Sequence, residues 1–499
     1  MKNISIDNLI RISGGILNCA DRGIDRMKEA TGVCIDSRLV EEGFVFVATK
    51  GERTDGHEYI ASAFEKGALA VICERVPEGV DGPCIKVKDS LVALKDIAEF
   101  YRKQLDIKVV GITGSVGKTS AKEFIATVLS EKYRVLKTEG NFNNEIGLPL
   151  TICRIREEHE VAVLEMGISD FGEMTRLAKM ARPDVAVITN IGQCHLENLG
   201  DRDGVLSAKT EIFKYLKEDG VACLCADDDK LSLINDVNGK KPVFFGSNKD
   251  VPIHPLSIQT KGLFGSECSI ACFDEVFNIR IPLPGIHRIY NALAAISVGH
   301  VLGLTGAEMA AGIAKICATP GRGNVIRTDK LTILDDCYNA NPVSMNAALD
   351  LLALSEDTKV AVLGDMFELG SNEIWLHEGV GKYAIRKEID IICCIGEKGK
   401  YIYEGAVEEE KQNADSFLNG IEKHLNDNAF MTELKNTMSW NADEVAALEK
   451  GGRKKISYYA TKEEFFADLP NVIFPGDAVL VKASHGMHFE EIVERLKEF

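Results

Sequence analysis

No run of roughly 18 or more apolar residues, the length a helix needs to cross a bilayer, occurs in the chain, so no membrane span is expected. A secretion signal is also missing: MKNISIDNLIRISGG carries Asp7 and Arg11 inside what would be its apolar core. Excess positive charge is absent. With 58 Lys and Arg against 76 Asp and Glu the net charge is −18, which argues against a broad basic face for nucleic acid or anionic lipid. Any phosphate must be held by local lysines, arginines and backbone N–H groups. The fourteen cysteines show no paired zinc-ligand spacing, even at Cys223 and Cys225, Cys268 and Cys272, or the adjacent Cys393 and Cys394. Without an export signal they read as reduced thiols packed in the cores of a cytoplasmic protein. No repeat of solenoid period is visible.

What is present begins with KVVGITGSVGKTSAKEFIATVLSE, Lys108 to Glu131. A β-branched strand over Lys108–Thr113 runs into a small-residue turn, Gly114, Ser115, Val116 and Gly117. A helix follows, with Phe124, Val128 and Leu129 on one face. Glycines there let backbone N–H groups close on phosphate oxygens, and the helix N-terminus adds partial positive charge. Lys118 can reach the terminal phosphates and the Thr119 hydroxyl can hold Mg2+, with Ser120 completing the motif. Ile112 stands where the usual P-loop has its first glycine, so the turn is a shortened form. Strand, glycine pair, lysine and threonine coincide, and the stretch reads as a nucleotide site.

The length of 499 residues suggests about three domains. Residues 1–107 form a first unit with short apolar runs at Val45–Ala48 and Ala68–Cys73 and a helix near Glu58–Lys66. Its polar clusters CIDSR and KGERTDGHEYI are either solvated loops or, through Ser37, Arg38, Lys50 and His57, contacts for a phosphorylated ligand. Composition does not choose. Residues 108–317 alternate strands (Val161–Glu165, Val185–Thr189, Gly220–Leu224) with helices, which predicts a largely parallel sheet with ligands at the strand carboxyl ends. Val243–Pro284 is expected to form short antiparallel strands. Residues 318–499 read as a second doubly wound unit, with strands Leu331–Leu334, Lys359–Leu363, Ile391–Ile395 and Ala478–Val481. A helical insertion is expected at about 407–455, where NADEVAALEK has capping signals at both ends and Glu408–Glu410 reads as a solvated face. The fold class is therefore α/β in three units.

Glu165 ends a strand and His195 follows another. Beside a P-loop, a carboxylate and an imidazole can complete the shell of a divalent ion. Lys209 by default is a solvent-facing helix lysine. GNFNNEIGLPL places three asparagines between glycines, suited to a polar, peptide-like or sugar ligand or to a tight left-handed loop. Arg322 precedes a strand of the third unit and could stabilise transferring phosphoryl charge. Asp336, at the end of that strand, could accept from a ribose hydroxyl or orient a lysine. His300 and His377 show no partner pattern and are expected to be structural.

Along nearly the whole chain TGSVGKTS, GNFNNEIGLP, LEMG, CHLENLG, AKTEIF, HRIYNALAA, PGRG, DDCYNANP, LGDMFELG and LVKAS resemble, in order, the motifs of the Mur ligase family, which builds the peptide stem of bacterial peptidoglycan. The shortened P-loop is part of that pattern. GNFNNEIG and YNANP resemble in particular the branch that joins D-alanyl-D-alanine to UDP-N-acetylmuramoyl-tripeptide. No DNPR sequence, used by the diaminopimelate-adding branch, is present.

The resemblance implies a small UDP-binding domain, with Ser37, Arg38, Lys50, Asp55 and His57 at the substrate. It implies a central P-loop ATPase-type domain and a C-terminal Rossmann-like domain. ATP would lie on Gly114 to Ser120, with Asn291 at the adenine and Arg322 and Asp336 reaching in from the C-terminal side. Thr119, Glu165 and His195 would hold Mg2+. Lys209 matches the family lysine that CO2 converts to a carbamate. Lys118, Glu165, His195, Lys209 and Arg322 become the expected catalytic set, and Asn141, Asn144, Asn339 and Asn341 the expected substrate contacts. The implied reaction is amide formation through an acyl phosphate, by a monomer. Two departures stand out: His485 lies where relatives often have arginine, and the 407–455 stretch is long. The alternatives are another amide ligase of the superfamily (diaminopimelate- or lysine-adding, or folylpolyglutamate synthase-like) and a P-loop regulator. For the regulator, neither a strict Walker A nor an NKxD motif is found.

Overall fold

In the computed structural model, residues 1–18, 24–51, 54–318, 321–422, 449–450 and 452–499 are described. The β-branched runs form buried strands and gather into three main sheets, each flanked by helices. In the first, five strands lie in the order Ile16–Asn18, Cys84–Lys86, Ala70–Cys73, Phe44–Val47, Gly32–Cys34. All pairs are parallel except at the edge strand Ile16–Asn18.

The second sheet has nine strands. Lys108–Thr113 lies between Val161–Glu165 and Val185–Ile188, parallel to both. Val135–Lys137 flanks one side, and Val221–Cys225 and Val243–Phe245 continue the other. From Ile253 the sheet becomes an antiparallel ladder, Ile253–Thr260, Ser266–Cys272 and Glu275–Ile281. These strands are longer than the sequence suggested: Ser266–Cys272 in the middle is largely buried, while residues 256–260 at the end of the first strand are exposed.

The third sheet orders Asn324–Arg327, Thr332–Asp335, Ala478–Lys482, Lys359–Leu363, Ile391–Ile395 and Ile456–Tyr459. Only the first strand is antiparallel. Strand alternation sends Cys393 to the core on one face and Cys394 to the core on the other. Burial pushes both thiols well above their usual range.

A single buried cluster runs continuously from Ile4 through the first sheet into the second. The helix Ser90–Lys103 is its seam. Tyr101 donates to the Ile155 carbonyl at 2.6 Å, and the buried Arg102 donates to the Ala181 carbonyl at 2.9 Å. The third sheet has its own cores, one on each face. Its links to the second unit include Leu263, which packs against one of those cores, and Arg327 over the Phe264 ring at 4.4 Å.

The stretch expected to be a helical insertion from 407 differs at its start. The helix begins at Gly399, runs to Glu422 and packs on Glu373–Arg386 with Ala406 and Val407 buried, so this part belongs to the third unit's layer. Glu408, Glu409 and Glu410 are not a purely solvated face: they pair with Lys382, Arg386 and Lys455. Most of NADEVAALEK lies outside the described residues. Among the described residues no helix is long and apolar enough to cross a membrane.

Arg453 and Asp477 form a buried ion pair, 6% and 4% exposed, and the carboxylate also accepts from the Phe474 N–H at 2.8 Å. Asp477→Asn leaves a buried guanidinium without its counter-charge and is expected to cost about 3–5 kcal/mol, read as the shift in urea unfolding followed by circular dichroism.

Candidate active site

The P-loop turn is built by backbone that only glycine tolerates. Gly114 has φ 151°, and a Cβ there would stand 1.9 Å from Thr189 Oγ1 and 3.2 Å from the Thr189 backbone nitrogen. Gly117, at φ 82°, is the N-cap of the helix Lys118–Leu129. The turn is pinned from the neighbouring strand end. Asn190 accepts from the Val116 N–H at 2.9 Å and donates to the Val116 carbonyl, while Ser115 Oγ accepts from the Gly192 N–H at 2.8 Å. Gly114→Ala must both strain the backbone and displace Thr189. About 1–3 kcal/mol of strain should weaken ADP binding by roughly tenfold to a hundredfold, measured by titration calorimetry.

Lys118 folds back to donate to the Gly114 carbonyl at 2.8 Å. Burial lowers its pKa, with the Glu165 carboxylate opposing. Glu165, 1% exposed at the end of its strand, accepts at Oε1 from Thr119 Oγ1 (3.0 Å) and Asn143 Nδ2 (2.8 Å). Its Oε2 is buried without a hydrogen-bond partner, with Lys122 Nζ 4.0 Å away. His195, at φ 51°, turns its Nδ1 to within 3.3 Å of Glu368 Oε2 of the third unit. Its imidazole pKa is lowered, first by burial.

Lys209 is no surface lysine. It is 0% exposed at the end of the helix Arg202–Thr210, and its Nζ has no hydrogen-bond partner. Burial, reinforced by the charge of Lys118, lowers its pKa to about 7.

From the third unit, Arg322 lays its guanidinium over the Tyr338 ring at 3.9 Å. Asp336, read from the sequence as accepting from a ribose hydroxyl or orienting a lysine, lies against Lys482, which is 1% exposed and donates to Asp336 Oδ2 at 2.6 Å and to the Asn339 carbonyl at 2.9 Å. One cavity of about 900 Å³ is lined from the middle unit by Ser115 to Ser120, Glu165, His195 and Asn291, and from the third by Arg322, Asp336, Asn339 and Asn341. It lies outside the carboxyl ends of strands in two facing sheets, where such folds place ligands.

Comparison with known proteins agrees along the chain. Family models match at residues 29–102 (Mur ligase family, catalytic domain), 112–299 (Mur ligase middle domain) and 321–419 (Mur ligase, glutamate ligase domain). The chain is 37% identical to the UDP-N-acetylmuramoyl-tripeptide--D-alanyl-D-alanine ligase of Bacillus subtilis (strain 168), over 94% of this chain and 93% of that protein. This chain belongs to the Mur ligase family.

A ligase of the same name from Escherichia coli (strain K12) is 35% identical over 91% of this chain and 96% of its own. Among solved structures, MurF from Acinetobacter baumannii superposes with a TM-score of 0.82 at 27% identity, covering 99% of each chain. MurF from Thermotoga maritima in complex with ADP gives 0.75 at 29% identity, over 94% of this chain and 97% of that one.

Within this Mur ligase the expected site residues divide. Ser115 to Ser120 of the P-loop gather with Glu165, His195, Asn291, Arg322 and Asp336 in the cavity wall, and Asn141, Asn144, Asn339 and Asn341 line it too, whereas Gly114 and Lys209 do not. Two of these asparagines have their side-chain carbonyls engaged as caps. Asn144 accepts from the Gly147 N–H at 2.9 Å, and Asn341 from the Ser344 N–H at 2.9 Å. Their amide NH2 ends remain for the cavity.

Ser37, Arg38, Lys50, Asp55 and His57 do not line it. Ser37 is half-buried, Arg38 and Lys50 are exposed, and Arg38 pairs with Asp36. His57 is a correction. It is 2% exposed, its Nε2 accepts from the Glu74 N–H at 3.0 Å, and its Nδ1 therefore carries the proton given to Asp55 Oδ1 at 2.6 Å. The other Asp55 oxygen, Oδ2, accepts from Arg75 at 2.8 Å. Both side chains brace their own loop. His377 is structural as expected, with both ring nitrogens bonded, and His300 stacks on Phe273. His485 is exposed, packs beside Tyr338 and does not line the cavity.

Sequence reasoning missed Asn143, Arg288 and Glu368. Asn143 sat unused between two asparagines already chosen, and Arg288 precedes Asn291 by one helical turn on the same face. Glu368 lies within the LGDMFELG motif, but its partner His195 is distant in sequence, so the motif alone did not show the contact.

The residues present fit the expected divalent ion. The Thr119 hydroxyl and the unpartnered Glu165 oxygen are hard donors, with His195 alongside. Among the described residues no three His, Cys, Asp or Glu side chains cluster into an all-protein cage. Lys209 likewise fits a carbamate, since only a neutral amine attacks CO2.

Proposed function

We propose that this ligase condenses D-alanyl-D-alanine with UDP-N-acetylmuramoyl-tripeptide, using ATP. The observation that carries the reading is the cavity's composition: a P-loop, a buried carboxylate with a free oxygen, amide side chains and an arginine from the facing unit share one space. The named relatives, at 35–37% identity over most of the chain, support the substrate pair.

The chemistry follows from the charges. A carboxylate oxygen of the tripeptide attacks the γ-phosphorus of ATP, forming an acyl phosphate and releasing ADP. The amine of the dipeptide adds to the acyl carbon, loses a proton, and phosphate departs as the amide forms. Two anions meet in the first step. Lys118 and Arg322 are placed to offset that repulsion and the charge developing on the transferring phosphoryl group. Thr119, Glu165 and His195 would hold Mg2+, which neutralises phosphate charge when bound, and Asn143 fixes the Glu165 carboxylate by donating to Oε1. A carbamate on Lys209 would place an anion beside the Lys118 ammonium.

The division 1–107, 108–317 and 318–499 serves this reaction if the first unit holds the UDP end through Ser37, Arg38 and Lys50 while the third closes over the nucleotide. The test is phosphate release with purified protein, ATP, Mg2+ and UDP-muramoyl-tripeptide. Release should require D-alanyl-D-alanine; release that ignores it, or that responds to diaminopimelate or lysine instead, would overturn the reading.

A further inference from the structure

Arg288 lies in the helix His287–Val301 with 5% of its surface exposed, in the wall of the nucleotide cavity. Its Nη1 donates to Ser120 Oγ at 3.0 Å and its Nη2 to the backbone carbonyl of Arg322, while its buried Nε has no partner. Among the described residues no carboxylate stands within ion-pair distance of it, and the Asp336 carboxylate acts on it only from farther off, while burial lowers its pKa. Two neutral acceptors are a poor replacement for water around a guanidinium. The arrangement makes sense through what it joins. Ser120 is in the first turn of the P-loop helix, and Arg322 is on the loop that enters the third unit.

That loop is held from the other side by the third unit itself. The Gly321 N–H donates to Asp335 Oδ2 at 2.8 Å, and the Tyr338 N–H donates to the Gly321 carbonyl at 3.0 Å. Gly323, at φ 64°, leaves room for Arg288, whose Nη2 lies 3.0 Å from where a Cβ would stand. The loop is strung between the third sheet and one side chain of the middle unit.

We propose that Arg288 is a positioning residue for the ligation: it clamps the Arg322 loop to the P-loop helix, and nucleotide phosphate, by supplying a counter-charge in direct contact with this guanidinium, tightens the clamp and aims Arg322. The inference rests on the ligase reading above, so one of its tests needs only ADP.

In Arg288→Met, kcat should fall by about tenfold to a hundredfold, as expected for a misplaced reacting group. Kd for ADP should rise by less than about tenfold, reflecting the loss of one charge partner for phosphate, and by less than kcat falls. Hydrogen exchange should show ADP still protecting residues 114–120 but no longer protecting 321–327. Arg288→Lys should not restore either readout, because one ammonium cannot bridge the Ser120 hydroxyl and the Arg322 carbonyl as the planar fork does. Ser120→Ala, a mild change that keeps the guanidinium, should give the same pattern in weaker form. Rescue by lysine, loss of ADP affinity in step with kcat, or unchanged protection of 321–327 in both Arg288→Met and Ser120→Ala would overturn the clamp. A wild-type protein that forms no amide would overturn the ligase reading while the exchange experiment still decides the clamp.

Discussion

Lys209→Ala is expected to lower kcat by about a hundredfold or more, and millimolar acetate or formate to restore part of the loss. The argument starts from burial. A fully buried ε-ammonium with no hydrogen-bond partner and the Lys118 charge nearby is poorly tolerated, and the pKa falls to about 7. Near neutral pH the neutral amine is then on the order of a thousandfold more abundant than for an ordinary lysine. In the proposed modification its lone pair would attack the carbon of CO2, an N–C bond would form, an N–H proton would leave, and a carbamate anion would replace a would-be cation. The electrostatics would then change sign, because Lys118 repels an ammonium but would attract a carbamate.

A pH signature follows for unmodified protein. The folded-state pKa lies below the unfolded value, so the unfolded chain binds more protons between about pH 7 and 10. The penalty is fully present below pH 7, and stability from this group rises as pH increases through that window. The modification itself is checked by a 13C carbamate resonance in bicarbonate enriched in that isotope. Full activity in CO2-free buffer with no such signal would remove the carbamate from the account.

Arg322→Ala should lower kcat by about a thousandfold, in the range of arginines that neutralise a transferring phosphoryl group. ADP affinity should change by less than about tenfold, since the P-loop contacts are untouched. Stacking on Tyr338 at 3.9 Å holds the guanidinium plane, and the loop backbone is fixed independently of the side chain. Arg322→Lys should not recover the rate, because an ammonium neither stacks in that way nor offers paired donors. Single-turnover kinetics beside calorimetry separate the effects, and parallel loss of binding and rate would assign Arg322 to ground-state affinity.

The strands at Lys108–Thr113, Val161–Glu165, Lys359–Leu363 and Ile391–Ile395 were legible because each is a continuous apolar run buried on both faces. Ile456–Tyr459 and the helix Lys462–Val472 were not, since lysines and glutamates crowd a strand that only its parallel neighbour at Ile391–Ile395 makes evident. In the site, the phosphate cradle was local and therefore readable. The environment of Lys209 was not: its helix face looked ordinary until burial and Lys118 were both in view. His57 misled for the opposite reason. A polar, glycine-rich loop suggested an exposed ring, whereas the backbone of Glu74, across the fold, draws it inward. Arg288 and Glu368 act between units, and the sequence around each records only one side of such a contact.

The proposed reaction turns on activation of the tripeptide carboxylate by ATP in the cavity between the middle and third units. Tripeptide labelled with 18O in its terminal carboxylate tests this directly. One labelled oxygen should leave with inorganic phosphate for each amide formed. Phosphate free of label, with amide still produced, would contradict the account.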